Sequence, residues 1–113
     1  MAKDDYFVIV YSILSYLYTC LKKGKEIDLK KVSHEGMPNG VSKKYYTFIM
    51  NSLINDGLIT GVTYHENILA EAYFEFSEEL SITVKGIQYL EENTVIEKAK
   101  LFLKDIKDIT PFI

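Results

Sequence analysis

The stretch from Ser42 to Val62, SKKYYTFIMNSLINDGLITGV, constrains the fold more than any other part of the chain. Tyr46, Ile49, Met50, Leu53 and Ile54 recur at the three- and four-residue spacing of a helix with one buried face. Ser42 stands where an N-cap belongs, because its hydroxyl can accept from the open amides of the first turn. Val41 before it can pack one turn in, as a hydrophobic staple does. Asn55-Asp56-Gly57 is a stop, and Leu58 to Tyr64 then reads as a strand. This predicts a helix over 42–56 that runs through a glycine directly into a strand.

Either side of that stretch the chain divides into short elements. A first helix is expected over about 5–22, capped by Asp4 or Asp5 and ending before Gly24. Thirteen of the seventeen residues from Asp5 to Leu21 are apolar, so this helix needs cover all round. Phe7, Val10, Leu14, Leu17 and Leu21 are assigned to the core. Ile9, Ile13, Tyr16 and Cys20 call for a second cover, from a late helix or another subunit. Ser12, Ser15 and Thr19 form a small uncharged strip that lets a helix approach closely. Ile27 is a candidate short-strand residue, and Asp28 is an N-cap for a brief second helix that turns Leu29 and Val32 inward. Residues 34–40, with Gly36, Pro38 and Asn39-Gly40, read as a loop.

Beyond Tyr64, His65-Glu66-Asn67 is the expected turn and Ala70 to Phe76 the returning strand. Ala70, Ala72, Phe74 and Phe76 alternate with Glu71, Tyr73 and Glu75, the period of a half-buried antiparallel strand. Thr83 caps a fourth helix with Ile82 and Ile87 as its staple and Val84, Ile87 and Leu90 inward. Thr94-Val95-Ile96-Glu97 has the form of a capping box. It opens a fifth helix to about Asp108, with Val95/Ile96, Ala99, Phe102/Leu103, Ile106 and Ile109 as its apolar stripe and Pro111 as its end. The pattern as a whole predicts an α+β, mainly helical fold. It has the form of a winged helix-turn-helix: a three-helix core, a β-hairpin wing and two additional C-terminal helices. The 113 residues are read as one such domain, its C-terminal helical segment 94–110 packing on helix one or on a second subunit.

Charge and cysteine usage narrow the class further. Thirteen lysines face sixteen acidic residues for a net charge of −3, and arginine is absent. No global positive field therefore draws the chain to nucleic acid. A single cysteine, Cys20, excludes an internal disulfide and fits a small buried hydrophobe in a reducing cytoplasm. Residues 6–21 carry no charge, yet they fall short of the ~20 apolar residues a span requires and include four tyrosines. The opening Lys3-Asp4-Asp5 does not suit a signal peptide.

The segment Glu79–Asn93, ELSITVKGIQYLEEN, has the form Leu-x-x-Thr-x-Lys-Gly-x-x-Tyr-Leu that often closes bacterial winged-helix domains. With Asn55-Asp56-Gly57-Leu58-Ile59-Thr60-Gly61-Val62 and Ile106-Lys107-Asp108-Ile109, the chain resembles the YjcQ-like family of small bacterial and prophage proteins from about Tyr6 to Ile109. The resemblance implies a winged-helix shape akin to that of DNA-binding regulators, and it carries over no catalytic residue. The chain departs from it in the long loop 35–41.

The residues themselves offer no catalytic constellation. His34, His65 and Cys20 sit on separate elements, so no metal or cofactor is expected. Glu78-Glu79 and Glu91-Glu92 are adjacent carboxylates that do not converge, and no phosphate loop or nucleophile motif occurs. A non-enzymatic role is the expectation, and two readings compete for it.

Residues 22–44 hold seven lysines against Glu26, Asp28 and Glu35, a local +4. Lys30, Lys31, Lys43, Lys44, Thr47 and Asn51 are thus candidates for contact with double-stranded DNA, helix three entering the groove of a transcription regulator's operator. Against this, there is no arginine for bidentate guanine contact, and residues 64–82 carry five glutamates and no lysine, a local −5. An acidic wing is repelled by phosphate. Tyr45, Phe48 and Tyr73 are the alternative candidates, as part of a protein–protein interaction surface on a winged-helix scaffold that does not bind DNA. A homodimer through helix one and the C-terminal helix is a separate expectation.

Overall fold

The structure, a computed structural model, describes residues 1–105. In chain order it comprises α1 (Tyr6–Lys23), α2 (Leu29–Val32), a 3-10 turn (His34–Gly36), α3 (Lys43–Asn55), β1 (Ile59–Asn67), β2 (Ala70–Ile82), α4 (Val84–Glu92) and α5 (Thr94–Asp105). The architecture is α+β and mainly helical, five helices around one antiparallel hairpin. Ile106, Ile109, the helix end at Asp108 and Pro111 lie outside the described residues.

Helix α1 is the axis. Val8 to Leu14 are buried without a break, as are Tyr16, Leu17 and Cys20. Its second cover is α5. Tyr11 senses the charge of Glu97, and Ile9, Ser12 and Ile13 line one small cavity together with Leu103. Ile96, Ala99 and Leu103 are buried along α5. The small Ser12, itself buried, faces this seam. Among the described residues no helix is long and apolar enough to cross a membrane.

Local chemistry sets the helix ends. The Asp28 carboxylate accepts from the Lys30 amide, the Ser42 hydroxyl from Tyr45 and the Thr83 hydroxyl from Gly86. Two expected caps differ. Asp5 does precede α1, but its carboxylate accepts from the Ala2 amide instead of capping the helix. Asn93, not Thr94, caps α5, its side-chain oxygen accepting from Val95 at 2.9 Å and Ile96 at 3.0 Å. Thr94 is already helical, and the shorter asparagine one residue earlier occupies the cap position.

The hairpin is longer than the alternation suggested. His65, Glu66 and Asn67 are strand, and the turn falls at Ile68-Leu69. The Asn67 side chain makes this turn by accepting from the Leu69 amide. Val62, Tyr64, Ala72, Phe74 and Phe76 are half-buried, while Glu71, Tyr73 and Glu75 face out, so the expected period holds over 71–76; Ala70, expected on the inner side, is exposed beside the turn. Near the helical body the ladder breaks. Thr60 pairs with Ser81 and Val62 with Phe76, so Gly61 alone opposes the four residues 77–80. Gly61 has φ +83°, and a Cβ there would overlap the backbone of Glu79 and Leu80.

Three side chains expected inside are outside. Val84 is exposed because α4 docks through Gly86, whose Cα lies against the Leu58 carbonyl and the Ile82 side chain and so fixes the helix's rotation. Leu21 and Leu29 are exposed because no element among the described residues covers them: Ile27 forms no strand, and an open groove lies between the end of α1 and β2.

Candidate functional site

Helix α3 presents the side chains on which both functional readings turn. Its inner face, Tyr46, Ile49, Met50 and Leu53, is buried, as its spacing requires. Tyr46 anchors the N-terminal half. Its hydroxyl donates to the Val32 carbonyl at 2.6 Å, its ring meets Phe74 edge-on at 5.8 Å, and burial pushes its phenol pKa up. The His34 ring lies beside it, with Nε2 2.6 Å from the Val41 carbonyl. The loop between α2 and α3, the helix and the hairpin are thus locked around one tyrosine.

The outer face is bounded by the hairpin on one side and the start of α1 on the other. Lys43 Nζ lies 2.5 Å from Glu71 Oε1 on the hairpin. The hydrogen bond and charge of Lys43 hold the Glu71 carboxyl below the usual glutamate range. On the other side the Tyr45 hydroxyl donates to the Asp4 carbonyl, and the Tyr6 hydroxyl shares a 2.7 Å hydrogen bond with Ser52. Burial, then the charges of Asp4 and Asp5, raise the Tyr45 pKa. Between these borders run Lys44, Phe48 and Asn55, exposed, with Thr47 and Asn51 half-buried.

The candidate residues therefore separate. Lys30 and Lys44 are exposed on consecutive helices. Lys31 turns back onto α1, its Nζ 5.3 Å from the Tyr16 ring centre, and Lys43 is engaged by the hairpin. Phe48 is 64% exposed with its ring against Tyr6 at 6.1 Å. Tyr73 stacks on His65 at 4.9 Å, on the hairpin face turned away from Phe74, so it does not join the patch of Phe48 and Tyr45.

Two features carried no sequence expectation. Tyr6 supports both Phe48 and Ser52 from α1. At the hairpin tip Ile68 and Leu69 are fully exposed between Glu66 and Glu71. Asn67 was the available signal, since an asparagine that caps its own turn pushes the next two residues to the apex.

Among the described residues no three His, Cys, Asp or Glu side chains converge as a metal site, and Cys20 is a buried free thiol. Searches of curated proteins and of solved structures found no match to the chain. The family model described as YjcQ protein matches residues 11–109, which span α1 through α5. That match covers most of the chain, which belongs to the YjcQ family.

Proposed function

We propose that the chain is a non-enzymatic winged helix-turn-helix protein that binds double-stranded DNA through α3, as a transcription regulator. The observation that carries this reading is the polar strip on α3. Lys44 and Asn55, exposed, and Thr47 and Asn51, half-buried, lie along one side of a helix capped at its start by Ser42. Lysine and helix N-termini meet phosphates, and asparagine can pair with an adenine edge. The hairpin takes no part in the contact. Its glutamates oppose phosphate, and Glu71 already draws Lys43 away from the groove.

The test is an anisotropy titration of mixed-sequence duplex DNA at two salt concentrations. Binding should weaken steeply with salt, because each neutralised phosphate releases counterions. Lys43→Ala with Lys44→Ala should flatten the dependence. An unchanged slope takes α3 out of the contact, and no binding at low salt ends the reading.

The second reading is a protein partner in place of DNA. Phe48 favours it: a largely exposed phenylalanine on a tyrosine platform is the kind of anchor protein interfaces use. Under that reading Phe48→Ala abolishes partner binding and salt matters little.

A further inference from the structure

A groove of about 830 Å³ opens beside β2, at the opposite strand edge from β1. Its floor and walls come from the end of α1, residues 24–27, Leu29 and β2 residues 76–81; no α3 or β1 residue lines it. The sheet has two strands among the described residues, so this edge of β2 carries no ladder. Within it, residues 77–80 are also released from β1, because Gly61 alone opposes them; of their amides, that of Glu79 is taken by the Ser77 hydroxyl. A strand edge with open amides and carbonyls is a template for another extended segment.

The side chains fit such a guest. Leu21 and Leu29, 54% and 47% exposed, flank the opening, with the half-buried Ile27 and the buried Leu80 deeper. Alternate residues of an added strand would meet these apolar groups. Glu26, Glu78 and Glu79 line the groove against Lys25, an acidic excess of two charges. We propose that this groove binds an extended peptide that adds as a third strand on β2, its alternate residues apolar and the others basic. The volume lies within the range of ligand pockets and admits a short segment rather than a folded domain. This site shares no residue with the α3 strip and stands or falls independently of DNA binding.

The probe is a fluorescent acetyl-(Lys-Val)4-amide peptide added to the full chain, with anisotropy and amide exchange as readouts. Binding is expected, with new protection among the amides of 77, 78, 80 and 81, that of Glu79 being already bonded to Ser77. Leu21→Asp should weaken it roughly tenfold or more, as loss of an interface anchor does. Glu78→Lys with Glu79→Lys should weaken it comparably, while the charge-matched control Glu91→Lys with Glu92→Lys should not. The same peptide N-methylated at alternate residues should fail, since it cannot complete the ladder. Absence of binding overturns the proposal, as does equal binding of the methylated or of a (Glu-Val)4 peptide. Equal loss in the control pair also overturns it, by exposing bulk charge attraction. Protection of 77–81 that grows with protein concentration alone assigns the groove to a second copy and overturns it too.

Discussion

Lys43 Nζ and Glu71 Oε1, 2.5 Å apart, tie the first residue of α3 to the second residue of β2. The basic first turn of α3 is thereby joined to β2, which carries Glu71, Glu75, Glu78 and Glu79. Both side chains are largely exposed, so the pair adds little to global stability. It lowers how much positive charge that turn offers.

The pair makes the hairpin contact pH-dependent. Glu71 titrates below its unfolded range because Lys43 favours the carboxylate. A lowered folded value means the contact is intact above the unfolded pKa, about 4.3 for glutamate. It is lost as pH falls through the lowered folded value. An NMR titration of the Glu71 side chain should place its midpoint below the usual glutamate range, and Lys43→Ala should return it there. A midpoint that Lys43→Ala does not move removes the pairing.

Freeing Lys43 should strengthen DNA binding. Glu71→Gln removes the competing carboxylate, so under the DNA reading the salt dependence, log K against log salt, should steepen by about 0.9, one further phosphate contact. Salt titrations of the two proteins side by side decide it. A shallower slope in the variant contradicts the assignment of Lys43 to the phosphate surface.

Gly61 holds the hairpin against the body. Gly61→Ala meets a left-handed backbone and the Glu79–Leu80 main chain together, and strain plus overpacking should cost about 2 kcal/mol or more. Urea unfolding measures it. A loss near zero would mean that residues 77–80 move aside freely.

Thr83 joins two elements. Its hydroxyl accepts from Gly86 at 3.0 Å and donates to the Gly57 carbonyl at 2.6 Å, linking the start of α4 to the end of α3. Thr83→Val keeps the shape and loses both bonds, at a cost of about 1–2 kcal/mol by thermal or urea unfolding.

The burial of α5 on α1 bears on oligomerisation. Ile96, Ala99 and Leu103 are covered by α1 within one chain, so this part of the α5 stripe calls for no second subunit. The protein should sediment as a 13.0 kDa monomer at micromolar concentration. Twice that mass would restore the dimer. Ile96→Ala should cost about 2–4 kcal/mol, as truncation of a fully buried isoleucine does.

The elements themselves were legible from residue order. The helices over 6–23 and 43–55, the glycine between α3 and β1 and the alternation that holds from Glu71 to Phe76 all follow from short-range pattern. So do the caps at Asp28, Ser42 and Thr83. Gly57 accepts φ +71° at no steric cost, and its amide bonds the Ile54 carbonyl, which is how the stop works. The misses were of another kind. The turn was expected at His65-Glu66-Asn67, where polar residues cluster, but those residues continue the strand and the turn falls at Ile68-Leu69, which only the Asn67 side chain argued for.

The site was half legible. Its outward residues follow from the helical period once the buried face of α3 is known. Their partners do not: Glu71 is 28 positions from Lys43, and Tyr6 is 42 from Phe48. Local sequence determined where each helix and strand begins, which face of α3 is apolar and how charge divides between the two halves, because caps, periodicity and charge act within a few residues. Tertiary structure alone decided that Leu21, Leu29 and Val84 face outward, that Lys43 is engaged and that β2 keeps an open edge beside a groove. A helix's apolar stripe fixes that it must be covered, but only the packing of distant elements settles which part of the stripe receives the cover.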